Sequence, residues 1–242
     1  MFNKRPPHRK LMPSWSINDV LASLAEPPYE PMHNAPLECL THKTLFLVAA
    51  ASARRRSCLH ALTLKTGFFR IDQAGVRMLP DPSFLAKNQT ASFSPEEIFL
   101  PTIGNMSSIH EDKKWCPVRA LKWYIKRTKT IRQSENLFLL PRRPHSPASK
   151  DTISRWIRDL IRPHADQDQQ VRAHDVRGHA TSRAWFARVP LEDIMRAAAW
   201  KTPSSFVGCY LTNTQSAEGA FARAAIRPPR RAVPAPPPSA LC

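Results

Sequence analysis

The chain has 242 residues, room for one large domain, and sets 36 Lys and Arg against 19 Asp and Glu for a formal net charge of +17. That balance calls for a polyanionic partner, and nucleic acid is favoured over a membrane surface because the basic residues are spread through helical segments with no separate amphipathic anchor. Cys39, Cys58, Cys116, Cys209 and Cys242 are odd in number with no C-x-x-C spacing, and the longest aliphatic run, Leu45 to Ala51, is far too short for a bilayer. A disulfide framework, a zinc site and a membrane span are therefore not expected, and a reducing compartment fits best.

Along the chain, the first dozen residues are basic and contain Pro, with no apolar stretch behind the charges of MFNKRPPHRK, so no secretory signal is read there. The first strong helical signal runs from Leu45 to Leu62 and is interrupted by Arg54, Arg55 and Arg56, as a buried helix leading to a functional end would be. Gly67 and Gly75 punctuate short extended runs at Phe68 to Ile71 and Val76 to Leu79, and a third lies at Ile98 to Pro101. These predict a small antiparallel sheet. The last two strands are joined by PDPSFLAKNQTASFSPEE, long and polar enough to reach outward and carrying Lys87.

Helices are predicted from Pro117 to about Thr128, from Lys150 to Ile161 with Ser149 as N-cap, from about Asp175 to Ala187, and from Pro190 to Ala199 with Pro190 at the first helical position. From Ala224 onward Pro, Arg and Ala dominate, which predicts an extended or disordered tail. The expected fold class is α+β, mostly helical with one small three-stranded antiparallel sheet. No internal repeat is present.

The candidate chemical residues are scattered. His174-Asp175-Val176-Arg177 places His and Arg about one turn apart where a helix should begin, so both can approach a common anion at its N-terminus. Taken alone, H-x-x-R is a pattern that a His- and Arg-rich chain produces by chance. Three adjacent arginines cannot all face one site. Arg55 is favoured because Arg55-x-Ser57-x-Leu59-x-x-Leu62 buries the two leucines on a helix and leaves Arg55 at its mouth. Tyr210 is one of three tyrosines and lies ten residues after Trp200; each, alone, would read as a core aromatic. Lys87 alone would be an ordinary exposed lysine.

Their order changes this. Arg55, Lys87, His174, Arg177, Trp200 and Tyr210 follow the sequence of boxes in the tyrosine recombinase/integrase family: R-x-S-E-L, a β-hairpin lysine, H-x-x-R, a His or Trp, and a terminal tyrosine. The resemblance covers about residues 40–214, and KTLFLVAAASARRRSCLHAL looks most like recombinases of DIRS-type retroelements and Cryptons. It implies a recombinase catalytic domain at 40–214, a basic segment with the remnant of a linker from a missing helical DNA-clamping domain at 1–39, and a Pro/Arg-rich tail at 215–242. It also implies a nuclear enzyme on double-stranded DNA, working as a homo-tetramer on two duplexes, with no cofactor and no metal.

The resemblance further implies a role for each residue. Tyr210 is the nucleophile, Arg55 and Arg177 hold the non-bridging oxygens, His174 assists removal of the tyrosine proton, Trp200 supports the phosphate, and Lys87 protonates the leaving 5′-oxygen. The chain departs from the pattern at Cys58, which stands where the first box has Glu, and at His179, which lies two places after Arg177 where many members have His immediately after the arginine. Two alternatives stay open: a type IB topoisomerase-like activity, and a catalytically silent DNA-binding remnant of a recombinase.

Overall fold

A computed structural model describes residues 15–85, 97–103, 110–204, 206 and 211. Its centre is α2 (Leu37–Ser52), in which residues 43–49 are buried without interruption. A helix apolar on every side has to be surrounded. Around it pack α4 (Pro117–Thr128), α5 (Lys150–Ile161) and α6 (Asp175–Phe186).

The helical signal read from Leu45 to Leu62 is two helices. α2 begins at Leu37 and ends where Ala53 turns left-handed at φ 49°, and after an extended step at Arg55 the short α3 (Arg56–His60) begins. The early start was hidden by polar residues whose groups are satisfied within the helix or by distant segments. Thr41 Oγ1 donates to the Leu37 carbonyl at 2.7 Å, and the wholly buried Lys43 donates to the Leu24 carbonyl and to Glu30 Oε1, each at 2.7 Å.

The sheet consists of β1 (Phe69–Ile71), β2 (Gly75–Met78) and β3 (Ile98–Pro101), antiparallel in that order. Val76 pairs with Leu100 and Met78 with Ile98, and these four form the buried face. Gly75 is required at its position, since a Cβ there would lie 2.1 Å from the Leu100 carbonyl oxygen.

α4 and α5 have the predicted bounds, and Ser149 Oγ caps α5 by accepting from the Thr152 N–H at 3.1 Å. Pro190 is the N-cap of α7 (Leu191–Ala198) and not its first helical residue, because its ψ of 139° is still extended. Ile194 and Ala198 of α7 join Ala53, Trp200 and Phe206 in a second, smaller core. No helix among the described residues is long and apolar enough to cross a membrane.

The segment ahead of α2 is more than a connection. Trp15, and Ile17, Val20 and Leu24 of α1 (Ile17–Leu24), with Met32, are buried in the main core. Among the described residues, the segment from Trp15 to Met32 therefore packs as part of the same core as α2. Glu30 ties this segment to two helices, accepting from Lys43 of α2 and, through both carboxylate oxygens, from Arg119 of α4 at 2.7 and 3.1 Å. Lys87, Tyr210 and the Pro/Arg-rich tail lie outside the described residues.

Candidate active site

The break after α2 fans the three arginines apart. Arg54 is buried, Arg55 is half-buried at the N-cap of α3, and Arg56 is exposed and donates to Asp151 Oδ1 at 2.8 Å. All three nevertheless contribute to the lining of one cavity, so the expectation that only one faces the site is corrected.

Helix α6 brings the second group. His174 is its N-cap residue, and Arg177 lies in its first turn. Aligned peptide dipoles make that end electropositive, which favours an anion in front of it. Arg177 is only 2% exposed, and its guanidinium carbon stands 4.5 Å from the centre of the Trp200 ring. A cation over an aromatic face is attracted by the ring quadrupole, most strongly where water is excluded. Trp200 is placed by a left-handed turn at Ala199, with its N–H donating to the Met195 carbonyl at 3.0 Å, and its ring packs against Phe206. Trp200 does not line the cavity; it backs the guanidinium that does.

The cavity encloses about 720 Å³ and is lined by Arg55, His174 and Arg177 together with Arg54, Arg56, Lys150, Arg158 and Arg172. No carboxylate is among its lining residues. The charge leaves its mark on His174, whose pKa is pushed down to about 4 by the desolvating protein around it and then by Arg177, Arg55, Arg172 and Arg56. His174 is nevertheless an exposed residue, and the neighbouring cations are the part of this shift that a bound anion reverses. At neutral pH the imidazole is uncharged and able to accept a proton.

Sequence reasoning missed Lys150, Ser154 and Arg158, which line the cavity from α5. Their spacing of four puts them on one helical face, a signal present in the chain but indistinguishable from a solvated stripe. It also missed Arg172, two places before His174. His179 does not join the site: it is buried and stacked on Trp15. Cys58 is buried on α3 and supplies no carboxylate to the arginines. Among the tyrosines, Tyr124 is wholly buried with its hydroxyl oxygen accepting from the Leu139 N–H at 2.9 Å, and Tyr29 is half-buried with its pKa raised by burial and by Cys39. Neither lines the cavity. Among the described residues no group of three or more His, Cys, Asp or Glu is placed to hold a metal ion.

No protein-family model matches the chain, and no curated protein matches it in sequence. Solved structures do match in fold. The crystal structure of XerA recombinase is 15% identical with a TM-score of 0.59, over 93% of this chain and 68% of that one. The XerH site-specific recombinase bound to its difH substrate in a pre-cleavage complex is 11% identical with a TM-score of 0.57, over 91% of this chain and 56% of that one. The helical body with its three-stranded antiparallel sheet is the fold of a tyrosine recombinase catalytic domain.

Proposed function

We propose that the chain cuts and rejoins DNA strands by transesterification through a 3′-phosphotyrosyl intermediate, with Tyr210 as nucleophile. The observation that carries this reading is the convergence of Arg55, His174 and Arg177 on one cationic cavity without a lining carboxylate, in a fold shared with recombinases. The phenolic oxygen of Tyr210 attacks the scissile phosphorus and gives its proton to neutral His174. The bond to the 5′-oxygen breaks, and Lys87 protonates that oxygen. Attack by a 5′-hydroxyl, from the same strand or another, reverses the step and releases the tyrosine. Bond energy is kept in the phosphotyrosine, so no external energy source is required.

Arg55 and Arg177 neutralise the non-bridging oxygens, where a planar, permanently charged fork fits phosphate better than an ammonium does. Arg177 is held for this by the Trp200 ring at 4.5 Å, so Trp200 supports the phosphate through the arginine. The wording of the first box favours a retroelement-type recombinase, with duplex DNA as substrate, a tetramer on two duplexes as the working assembly and the nucleus as its place of action.

The test is a nicked duplex from which the short cleaved fragment bearing the new 5′-hydroxyl diffuses away, so that religation fails and the intermediate is trapped. An SDS-resistant protein–DNA adduct is expected, and Tyr210→Phe should abolish it while leaving DNA binding intact. Binding without any adduct would point to a silent DNA-binding remnant. An adduct with relaxation of supercoils, but no exchange between two duplexes, would point to topoisomerase-like action.

A further inference from the structure

Helix α6 has a second face that the proposed chemistry does not use. His179 follows Arg177 by two residues, about 200° around the helix, so it projects away from the cavity. There its ring lies on Trp15, with centroids 4.0 Å apart and planes 15° from parallel. Both residues are almost wholly buried, at 5% and 3% exposed. One turn on, Arg183 Nη1 donates to Asn18 Oδ1 at 2.5 Å. Trp15 also forms an isolated antiparallel bridge with Ala165, beyond the end of α5. The helix bearing His174 and Arg177 is thus gripped from behind by the N-terminal segment.

The nature of the grip can be read from its polar atoms. The Trp15 indole N–H is buried with no hydrogen-bond partner among the described residues. An unsatisfied buried donor is a cost, so the flat ring against His179 is what this position contributes. Burial also pushes the pKa of His179 down to about 4, keeping the imidazole uncharged and suited to face-on stacking.

We infer that Trp15 and His179 are a positioning pair: their stack sets where α6 sits, and through it where Arg177 and His174 stand in the cavity. The effect on cleavage rests on the recombinase reading; the effect on cavity geometry does not.

The experiment uses the full chain with labelled histidine rings. In Trp15→Ala, the His174 titration midpoint measured by NMR without DNA should rise by about one pH unit as the clamp arginines move away. Adduct formation at saturating DNA should slow by roughly 10- to 100-fold, the scale of an ångström misplacement. Trp15→Phe keeps a ring on His179 and removes the unsatisfied N–H, so it should restore both. If Trp15→Ala lowers the melting temperature but leaves the His174 midpoint at its wild-type value, Trp15 is only a core residue and the inference fails. If Trp15→Ala does not fold, Arg183→Ala, which breaks the exposed end of the same grip, should shift the midpoint in the same direction; no shift overturns the inference. Absence of adduct in the wild type would reject the recombinase reading and leave the NMR result to decide this one.

Discussion

His174 shows how a residue's neighbours choose its chemical form. Protein desolvation and the charges of Arg177, Arg55, Arg172 and Arg56 keep it neutral down to about pH 4. A phosphate seated among those arginines cancels part of their repulsion, so the His174 midpoint should climb by roughly one pH unit or more when duplex DNA binds. Ring-carbon shifts over a pH series would show it. An unmoved midpoint would mean that DNA binds elsewhere. Lys87 can be separated from the clamp by chemistry alone. A general acid is worth roughly 10²- to 10⁴-fold, so Lys87→Ala should cleave ordinary DNA slowly. Sulfur in place of the bridging 5′-oxygen makes a leaving group that needs no proton and should largely erase the defect. Arg177→Ala should gain nothing from the sulfur, because its charge acts on the non-bridging oxygens. Equal impairment of Lys87→Ala on both substrates would remove it as the acid. Lys65, the other lysine of this region, is paired with Asp81 at 2.7 Å.

Among elements, the seam between the N-terminal segment, α2 and α4 depends on Glu30. Its carboxylate is held below the usual range despite burial, by hydrogen bonds from Arg119 and Lys43 and by their charges. Lys43 has no exposed surface, so removing its partner leaves a positive charge in the core. Glu30→Gln should therefore cost about 3–5 kcal/mol in urea unfolding, whereas Glu30→Gln combined with Lys43→Met should cost distinctly less, since the charge then left without Glu30 is only that of Arg119, whose side chain is a third exposed. A double variant as unstable as the single would show that packing, not charge, governs the seam. The same seam ties the segment from Trp15 to the helices: the apolar face of α1 and the Glu30 junction both close onto α2 and its neighbours.

At the scale of the whole molecule, pH and salt act through these groups together. His174 and His179 both titrate near 4 when folded and near 6.5 when not. Between those values the unfolded chain binds more protons, so stability is full above about pH 6.5 and is lost as pH falls toward 4. His179, which is buried, should supply the larger share, and the exposed His174 less. Urea midpoints at pH 7.5 and pH 5 test this, and equal midpoints would contradict it. DNA affinity should fall steeply with salt, with a log–log slope steeper than about −3, because each neutralised phosphate contributes roughly −0.9. Affinity that is flat between low and moderate salt would remove nucleic acid as the partner of the cationic cavity.

Periodicity, capping and turn chemistry are properties of neighbouring residues, so the three strands, α4, α5 and the Ser149 cap were legible along the chain. So was the pairing of His174 with Arg177, because a helix N-terminus sets them one turn apart. What the tertiary structure alone decided depends on partners remote in sequence. Lys43 looks like a surface residue until Glu30 and the Leu24 carbonyl enclose it. Trp200 alone reads as a core aromatic until its ring is found against the Arg177 guanidinium, and His179 looks like a displaced site residue until Trp15 covers it. Lys150, Ser154 and Arg158 read as an ordinary surface stripe until α5 is found to line the same cavity as the arginines at the end of α2. Burial, charge compensation and ring stacking are energies of contact, and contacts between distant segments leave no local pattern for a sequence to display.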